Sequence, residues 1–167
     1  MSAQYLRETP PLDTSIVERQ LMQLGLRLPV PPDPVGAYRR GVVHAGIGSL
    51  SGQLPFHDGK ILHPGLVGRD VTTTAAQSAA RAAALNVLAQ LRVLLGGFDH
   101  LACLLRIDGF VASASGFFDS TLVLDAASSL FGDVLGERGA HARSAAGVAA
   151  LPLNAPVELV VTFAARA

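Results

Sequence analysis

The sequence contains a single cysteine, Cys103, among 167 residues. One cysteine excludes both an intramolecular disulfide and a four-cysteine zinc site. The five histidines are not spaced as HxH or HExxH, which argues against a zinc site built on histidine. We therefore expect no metal site, and we expect Cys103, which lies in an apolar stretch, to be an inert buried thiol.

Charge and long apolar runs are also scarce. Only 16% of the residues are charged, and thirteen basic residues balance thirteen acidic ones, so no net field attracts nucleic acid or an anionic membrane. The most apolar stretch, residues 79–95, is broken by four polar residues and cannot span a bilayer. The N-terminus has no apolar core of the kind found in signal peptides. These absences predict a cytoplasmic protein with neither a membrane nor a nucleic-acid partner.

Apolar residues make up half of the chain, which is enough for the core of one domain. Apolar periodicity predicts helices at residues 16–24, 75–95 and 121–135, the first two opened by capping boxes that start at Ser15 and Thr74. Alternating or β-branched segments predict strands at residues 41–45, 47–54, 61–62, 101–112, 144–149 and 157–164. In the last strand, Val157, Leu159, Val161 and Phe163 should point to the same side.

This order of elements predicts an α+β sandwich, in which two long helices cover one face of a mixed sheet. We expect residues 1–33 to form an N-terminal tail, a short amphipathic helix and a proline-rich lead-in, and residues 34–167 to form the main domain. Periodicity alone predicts this architecture, but it does not indicate a function.

Three sequence blocks carry a resemblance to a known family. The first is VGAY at residues 35–38 followed by SGQLP at residues 51–55, and the second is QSAARAAALN at residues 77–86. The third runs from RSAAGVAALP at residues 143–152 through NAPVE at residues 154–158. Together they resemble the RidA/YjgF family, also labelled the L-PSP endoribonuclease family, over residues 34–164. The additional N-terminal helix and the HARS segment at residues 141–144 resemble a longer bacterial branch, whose members are labelled endoribonuclease or translation initiation inhibitor.

The resemblance implies a chorismate-mutase-like fold and a homotrimer with a central barrel. It also implies one ligand cleft at each subunit interface, which would hold a small carboxylate. The family's reaction would hydrolyse a reactive enamine or imine to a 2-oxo acid and ammonia. Because the carbon of an imine is already electrophilic, no metal or organic cofactor is expected.

Arg143 matches the arginine that binds the substrate carboxylate in the family, since a planar guanidinium can donate two parallel hydrogen bonds to one carboxylate. Glu158, fifteen positions later, matches a glutamate that would hold the attacking water and move protons. The backbone carbonyl of Ala145 would be a second acceptor for water or amine. The structural alternatives are a surface salt bridge for Arg143 and a polar position on a sheet face for Glu158.

Three further positions match residues that line the family's pocket. Tyr38, contributed by the neighbouring subunit, would form an apolar wall with a hydroxyl, and Gly52 would let backbone approach the ligand. Packing for Tyr38 and a bulge for Gly52 are the structural alternatives. Asp125 stands where the family commonly has asparagine, and its negative charge would disfavour a carboxylate unless it points away or pairs with a cation.

Three functions follow from the resemblance. The first is an enamine or imine deaminase acting on compounds such as 2-aminoacrylate and 2-iminobutanoate. The second is a trimer that binds or senses a small carboxylate or 2-oxo acid without turnover, which Asp125 would favour. The third, an endoribonuclease or translation inhibitor, follows only from the family label, and the neutral charge argues against it.

Overall fold

The computed structural model describes residues 10–31 and 36–166. Most of the predicted N-terminal tail and part of the proline-rich lead-in lie outside the described residues. The helices are α1 (Thr14–Gln23), α2 (Thr73–Leu95) and α3 (Ser120–Leu135). The strands are β1 (Gly41–His44), β2 (Ile47–Gln53), β3 (Phe56–His57), β4 (Lys60–Ile61), β5 (Leu101–Ala112), β6 (Ala142–Val148) and β7 (Val157–Ala165). Short 3-10 turns lie at Gly136–Gly139 and Pro152–Asn154.

Five strands form one sheet in the order β1-β2-β7-β5-β6, and β3 pairs with β4 in a separate hairpin. All neighbours in the large sheet are antiparallel except β5 and β6, which are parallel. A parallel pair needs a crossover connection, and α3 lies within that connection. The mixed sheet predicted from the sequence is therefore confirmed, and β6 is one of its two edge strands.

One face of the sheet packs against the helices. On this face of the sheet lie the alternate residues of β7 that were predicted to point to the same side. All four are fully buried: Val157, Leu159, Val161 and Phe163. The intervening residues of β7 are only partly buried. Alanines dominate the buried side of α2, so this helix can approach the sheet closely. The opposite face of the sheet is covered by no helix within the described part of the chain, and we call it the open face.

The predicted starts of two helices were wrong by a few residues. The N-cap of α1 is Asp13, whose carboxylate accepts a hydrogen bond from the Ser15 amide at 2.8 Å, so Ser15 lies inside the first turn. The N-cap of α2 is Thr72, whose hydroxyl accepts from the Ala75 amide at 3.2 Å. In both cases a residue two positions before the predicted cap provides the side-chain oxygen that accepts from a free amide of the first turn, so the helix begins earlier than predicted.

Most of the remaining boundaries agree closely with the predictions, but β3 lies in no predicted strand. The strand β5 spans the predicted residues and continues through Gly109 without a break. The strand β6 begins at Ala142 rather than at residue 144, which places Arg143 inside a strand. Cys103 is buried, as expected. None of the helices in the described ranges is long and apolar enough to cross a membrane.

Candidate functional site

Arg143 projects from the edge strand β6 towards the helices. It lies opposite Ile107 of β5, whose side chain is buried in the core, and the next residue, Ser144, accepts a hydrogen bond from Arg106 on the open face. Because successive side chains of a strand alternate between faces, Arg143 is directed towards α3. Its side chain is 19% exposed, so the guanidinium is largely enclosed but still reachable from solvent.

Two residues of α3 hold this guanidinium. Arg143 donates from Nη2 to Asp125 Oδ1 at 2.8 Å and from Nη1 to Ser128 Oγ at 2.9 Å. Asp125 and Ser128 are three positions apart, so they share one side of the helix. The Asp125 side chain is 56% exposed, which leaves its carboxylate open to solvent beside the enclosed guanidinium. The predicted departure from the family pattern, Asp125, therefore pairs with the cation itself.

His141 completes this group through Ser128. Its Nδ1 lies 2.6 Å from the Gly139 carbonyl oxygen, and its Nε2 lies 3.0 Å from Ser128 Oγ. A carbonyl can only accept, so Nδ1 must carry a proton, and in the neutral ring Nε2 then accepts from the Ser128 hydroxyl. Burial lowers the pKa of His141, and the positive charge of Arg143 lowers it further, against the opposing effect of the Gly139 hydrogen bond. The neutral ring thus orients the hydroxyl so that its lone pairs face Arg143.

We call Arg143, Asp125, Ser128 and His141 the arginine cluster. It borders an open pocket of about 530 Å³ between α3, the turn at Gly136–Gly139 and the start of β6. The lining includes Gly132, Gly136, Glu137, Gly139 and Ala140 besides three members of the cluster. Ala145 follows Arg143 on the same side of β6 and is exposed. Small residues leave room around the guanidinium, so a small ligand can reach it.

Glu158 belongs to a second group, on the open face. It lies on β7 opposite Phe110 of β5, and it is half-buried. Its carboxylate lies directly over Gly52, because a Cβ added at Gly52 would be 1.8 Å from Glu158 Oε1. Burial raises the pKa of Glu158 above its usual value. We call Glu158 and Gly52 the glutamate cluster.

Within one chain the two clusters are separate. Arg143 lies on the helix-facing side of β6, whereas Glu158 lies on the open face of β7, and β5 runs between these two strands. Tyr38 lies in the segment before β1 and is 53% exposed. The predicted site residues are thus brought together as Arg143 with Asp125 and as Glu158 with Gly52, but not as one group.

Ser128 and His141 were not assigned a role from the sequence. A local signal existed for each, because Ser128 is three residues after Asp125 on a predicted helix and His141 is two residues before Arg143. Neither spacing shows that the helix lies over the strand, which only the tertiary structure decides. Within the part of the chain that the structure describes, no three His, Cys, Asp or Glu side chains are grouped as metal ligands would be.

Comparison with known proteins identifies a family and several relatives of this chain. Residues 18–166 match the family described as "YjgF/chorismate mutase-like, putative endoribonuclease". Protein TCP17 of Trypanosoma cruzi is 38% identical over 144 residues, which cover 86% of this chain and 90% of that protein.

Solved structures show the same fold. The crystal structure of Atu1372 from Agrobacterium tumefaciens is 40% identical with a TM-score of 0.86, covering 92% of this chain and 94% of that one. The structure of Escherichia coli TdcF with bound serine is 21% identical with a TM-score of 0.59, covering 83% and 94% respectively. Since the family match spans most of the sequence and the mixed sheet carries two long helices on one face, the chain belongs to the RidA/YjgF family.

Proposed function

We propose that this protein hydrolyses enamines and imines of small amino acids to 2-oxo acids and ammonia. The observation that carries this proposal is the enclosed guanidinium of Arg143, held in place by Asp125 and Ser128 beside an open pocket. An arginine fixed in this way can bind a carboxylate in one orientation. The serine bound to TdcF is itself a small molecule with a carboxylate, which supports a ligand of this class.

The complete site would lie between subunits of a homotrimer. Arg143 and Glu158 point to opposite sides of the sheet, so one chain cannot direct both at the same small molecule. A neighbouring subunit packed against the edge strand β6 would supply the glutamate cluster, together with the exposed Tyr38, to the arginine cluster of the first. The uncovered open face would then line the central barrel.

The residues would divide the reaction between them. Arg143 would bind the substrate carboxylate, and an enamine would first tautomerise to its imine. Glu158 would accept a proton from a water molecule as the water oxygen attacks the carbon of the C=N bond, and its raised pKa suits a base that works near neutral pH. Glu158 would pass this proton to the nitrogen, which gives a tetrahedral intermediate with one hydroxyl and one amino group. The hydroxyl proton would then move, through Glu158, to the same nitrogen as the C–N bond breaks, so that the C=O bond of the 2-oxo acid forms and ammonia leaves. The carbonyl of Ala145 would accept a hydrogen bond from the water or the amine.

The test is a coupled assay with freshly generated 2-iminobutanoate. We expect Arg143→Ala to lower kcat/KM by about 100-fold or more, because the carboxylate loses its anchor. Arg92→Ala is the matched control, since the Arg92 guanidinium pairs with Glu18 of α1 and not with either cluster. Light scattering should show the same oligomer for wild type and both variants. Equal hydrolysis rates in wild type and Arg143→Ala would refute the proposal.

The pairing of Asp125 with Arg143 supports a second candidate, a trimer that binds small carboxylates without turnover. Asp125 already occupies one N–H of the guanidinium, so a bound ligand must share the cation with it. Calorimetric binding of 2-oxobutanoate by a protein that does not hydrolyse any imine would select this candidate over the deaminase.

A further inference from the structure

We infer that Asp125 makes the site selective for ligands that carry a positively charged nitrogen next to the carboxylate. Such ligands are protonated imines and amino-acid zwitterions, and the disfavoured ligands are plain anions such as 2-oxo acids. The inference rests on the proposed function and names the charge state of its substrate. It assigns to Asp125 a role in specificity.

The hydrogen bonds of Arg143 leave room for a ligand beside Asp125. A guanidinium has five N–H donors, and the described contacts of Arg143 use one on Nη1 and one on Nη2. The remaining donors can hold a carboxylate. Only Oδ1 of Asp125 takes part in the contact with Arg143, and the side chain is more than half exposed. A ligand on Arg143 therefore lies next to a carboxylate oxygen that is free to accept another hydrogen bond.

The charges around the pocket favour a cationic nitrogen. Arg143 and Glu137 line the pocket with one positive and one negative charge, and Asp125, which pairs with Arg143, adds a second negative charge beside that guanidinium. His141 is neutral near pH 7, because burial and Arg143 both lower its pKa. A simple anion would meet one attractive and two repulsive charges. A zwitterion would place its carboxylate on Arg143 and its nitrogen towards Asp125.

The same contact would assist the chemistry. Protonation of an imine nitrogen makes the adjacent carbon more electrophilic, and a carboxylate beside the nitrogen favours the protonated form. When water attacks that carbon, the electron pair of the C=N bond moves onto nitrogen, which neutralises its positive charge. Asp125 would hold the N–H throughout and would gain or lose no proton. It therefore selects the reactive charge state, and Glu158 still accepts the proton of the water.

The experiment compares two ligands with the same carbon skeleton, L-2-aminobutanoate and 2-oxobutanoate. Both are titrated calorimetrically into wild type and Asp125→Asn at pH 7.5 and low salt. The asparagine keeps an oxygen acceptor for Arg143 but removes the charge. We expect the ratio of the two affinities to shift by about fivefold towards 2-oxobutanoate in Asp125→Asn. This is the fold-change that corresponds to losing the interaction of one charge pair at roughly 4 Å in water. Asp133→Asn, an exposed change two turns further along α3, is the matched control and should leave the ratio unchanged.

The outcomes separate this inference from the proposed function. If wild type hydrolyses 2-iminobutanoate with Arg143 dependence but Asp125→Asn keeps the wild-type affinity ratio, the inference is wrong and the deaminase stands. An equal shift in Asp133→Asn would also overturn it, because the effect would then be one of general charge. If wild type neither binds these ligands nor hydrolyses the imine, both proposals fail.

Discussion

The substitution Gly52→Ala tests the role of Glu158 without changing the glutamate itself. A Cβ at position 52 would lie 1.8 Å from Glu158 Oε1 and 2.8 Å from its Cδ, far inside any real contact. The carboxylate must therefore move by more than an ångström. A displacement of that size in a catalytic group can lower the rate by about 100-fold.

The structural cost of this substitution should be small. Glu158 is half-buried and lies on the open face, so its side chain can rotate away without disturbing the core behind the sheet. Overpacking at such a site costs about 1 kcal/mol. We therefore expect kcat for 2-iminobutanoate to fall by about 100-fold, whereas urea unfolding should show a loss of stability of about 1 kcal/mol.

A double-mutant cycle decides whether the loss acts through Glu158. In a Glu158→Gln background the hydrolysis rate is already low, and Gly52→Ala should lower it little further, because two changes to one interaction are not additive. Full activity of Gly52→Ala in the wild-type background would show that the position of the carboxylate does not matter. An equal further loss in both backgrounds would show that Gly52 acts independently of Glu158, for example by direct approach to the ligand.

Three further predictions concern stability, each measured by urea unfolding. A Cβ at Gly139 would lie 2.2 Å from the Phe131 carbonyl oxygen, so Gly139→Ala should lower the free energy of unfolding by about 2 kcal/mol or more. A Cβ at Gly132 would have nothing within 4 Å, so Gly132→Ala should raise the free energy of unfolding by about 0.5–1 kcal/mol. Similar effects of the two changes would contradict this reasoning. Thr72→Ala removes the N-cap of α2 and should cost about 1 kcal/mol, and no loss would mean that another group caps the helix. The pKa of His141 is lower in the folded than in the unfolded protein, so the unfolded state binds more protons below about pH 6.5 and stability should fall with decreasing pH in that range. His141→Asn should reduce this pH dependence, and an unchanged slope between pH 7 and pH 5 would refute the assignment.

Most of the secondary structure could be predicted from the sequence, because the signals for helices and strands are local. The strand β5 matches its predicted bounds, and the alternation along β7 correctly identifies its buried side. Errors occurred at helix starts, where several neighbouring side chains can cap the same free amides. The backbone conformation before the helix decides which side-chain oxygen caps it, as for Asp13 and Thr72.

The same distinction between local signals and tertiary contacts applies to the candidate site. Family resemblance proposed Arg143 and Glu158 as site residues. The sequence placed Glu158 in a predicted strand, whereas Arg143 lay just before one and is inside β6 only in the structure. Ser128 reaches both His141 and Arg143 only because α3 crosses over the start of β6, a contact between elements that no local pattern describes.

The sequence by itself indicated most of the helices and strands, the buried side of β7 and the family to which the chain belongs. Only the tertiary structure decided which side chains meet. A period of two shows which residues of a single strand share a face, but the pairing of β6 and β7 with β5 decides that Arg143 and Glu158 lie on opposite faces of the sheet. The physical reason is that register between strands depends on hydrogen bonds over long distances in the chain, whereas alternation depends only on the geometry of adjacent residues.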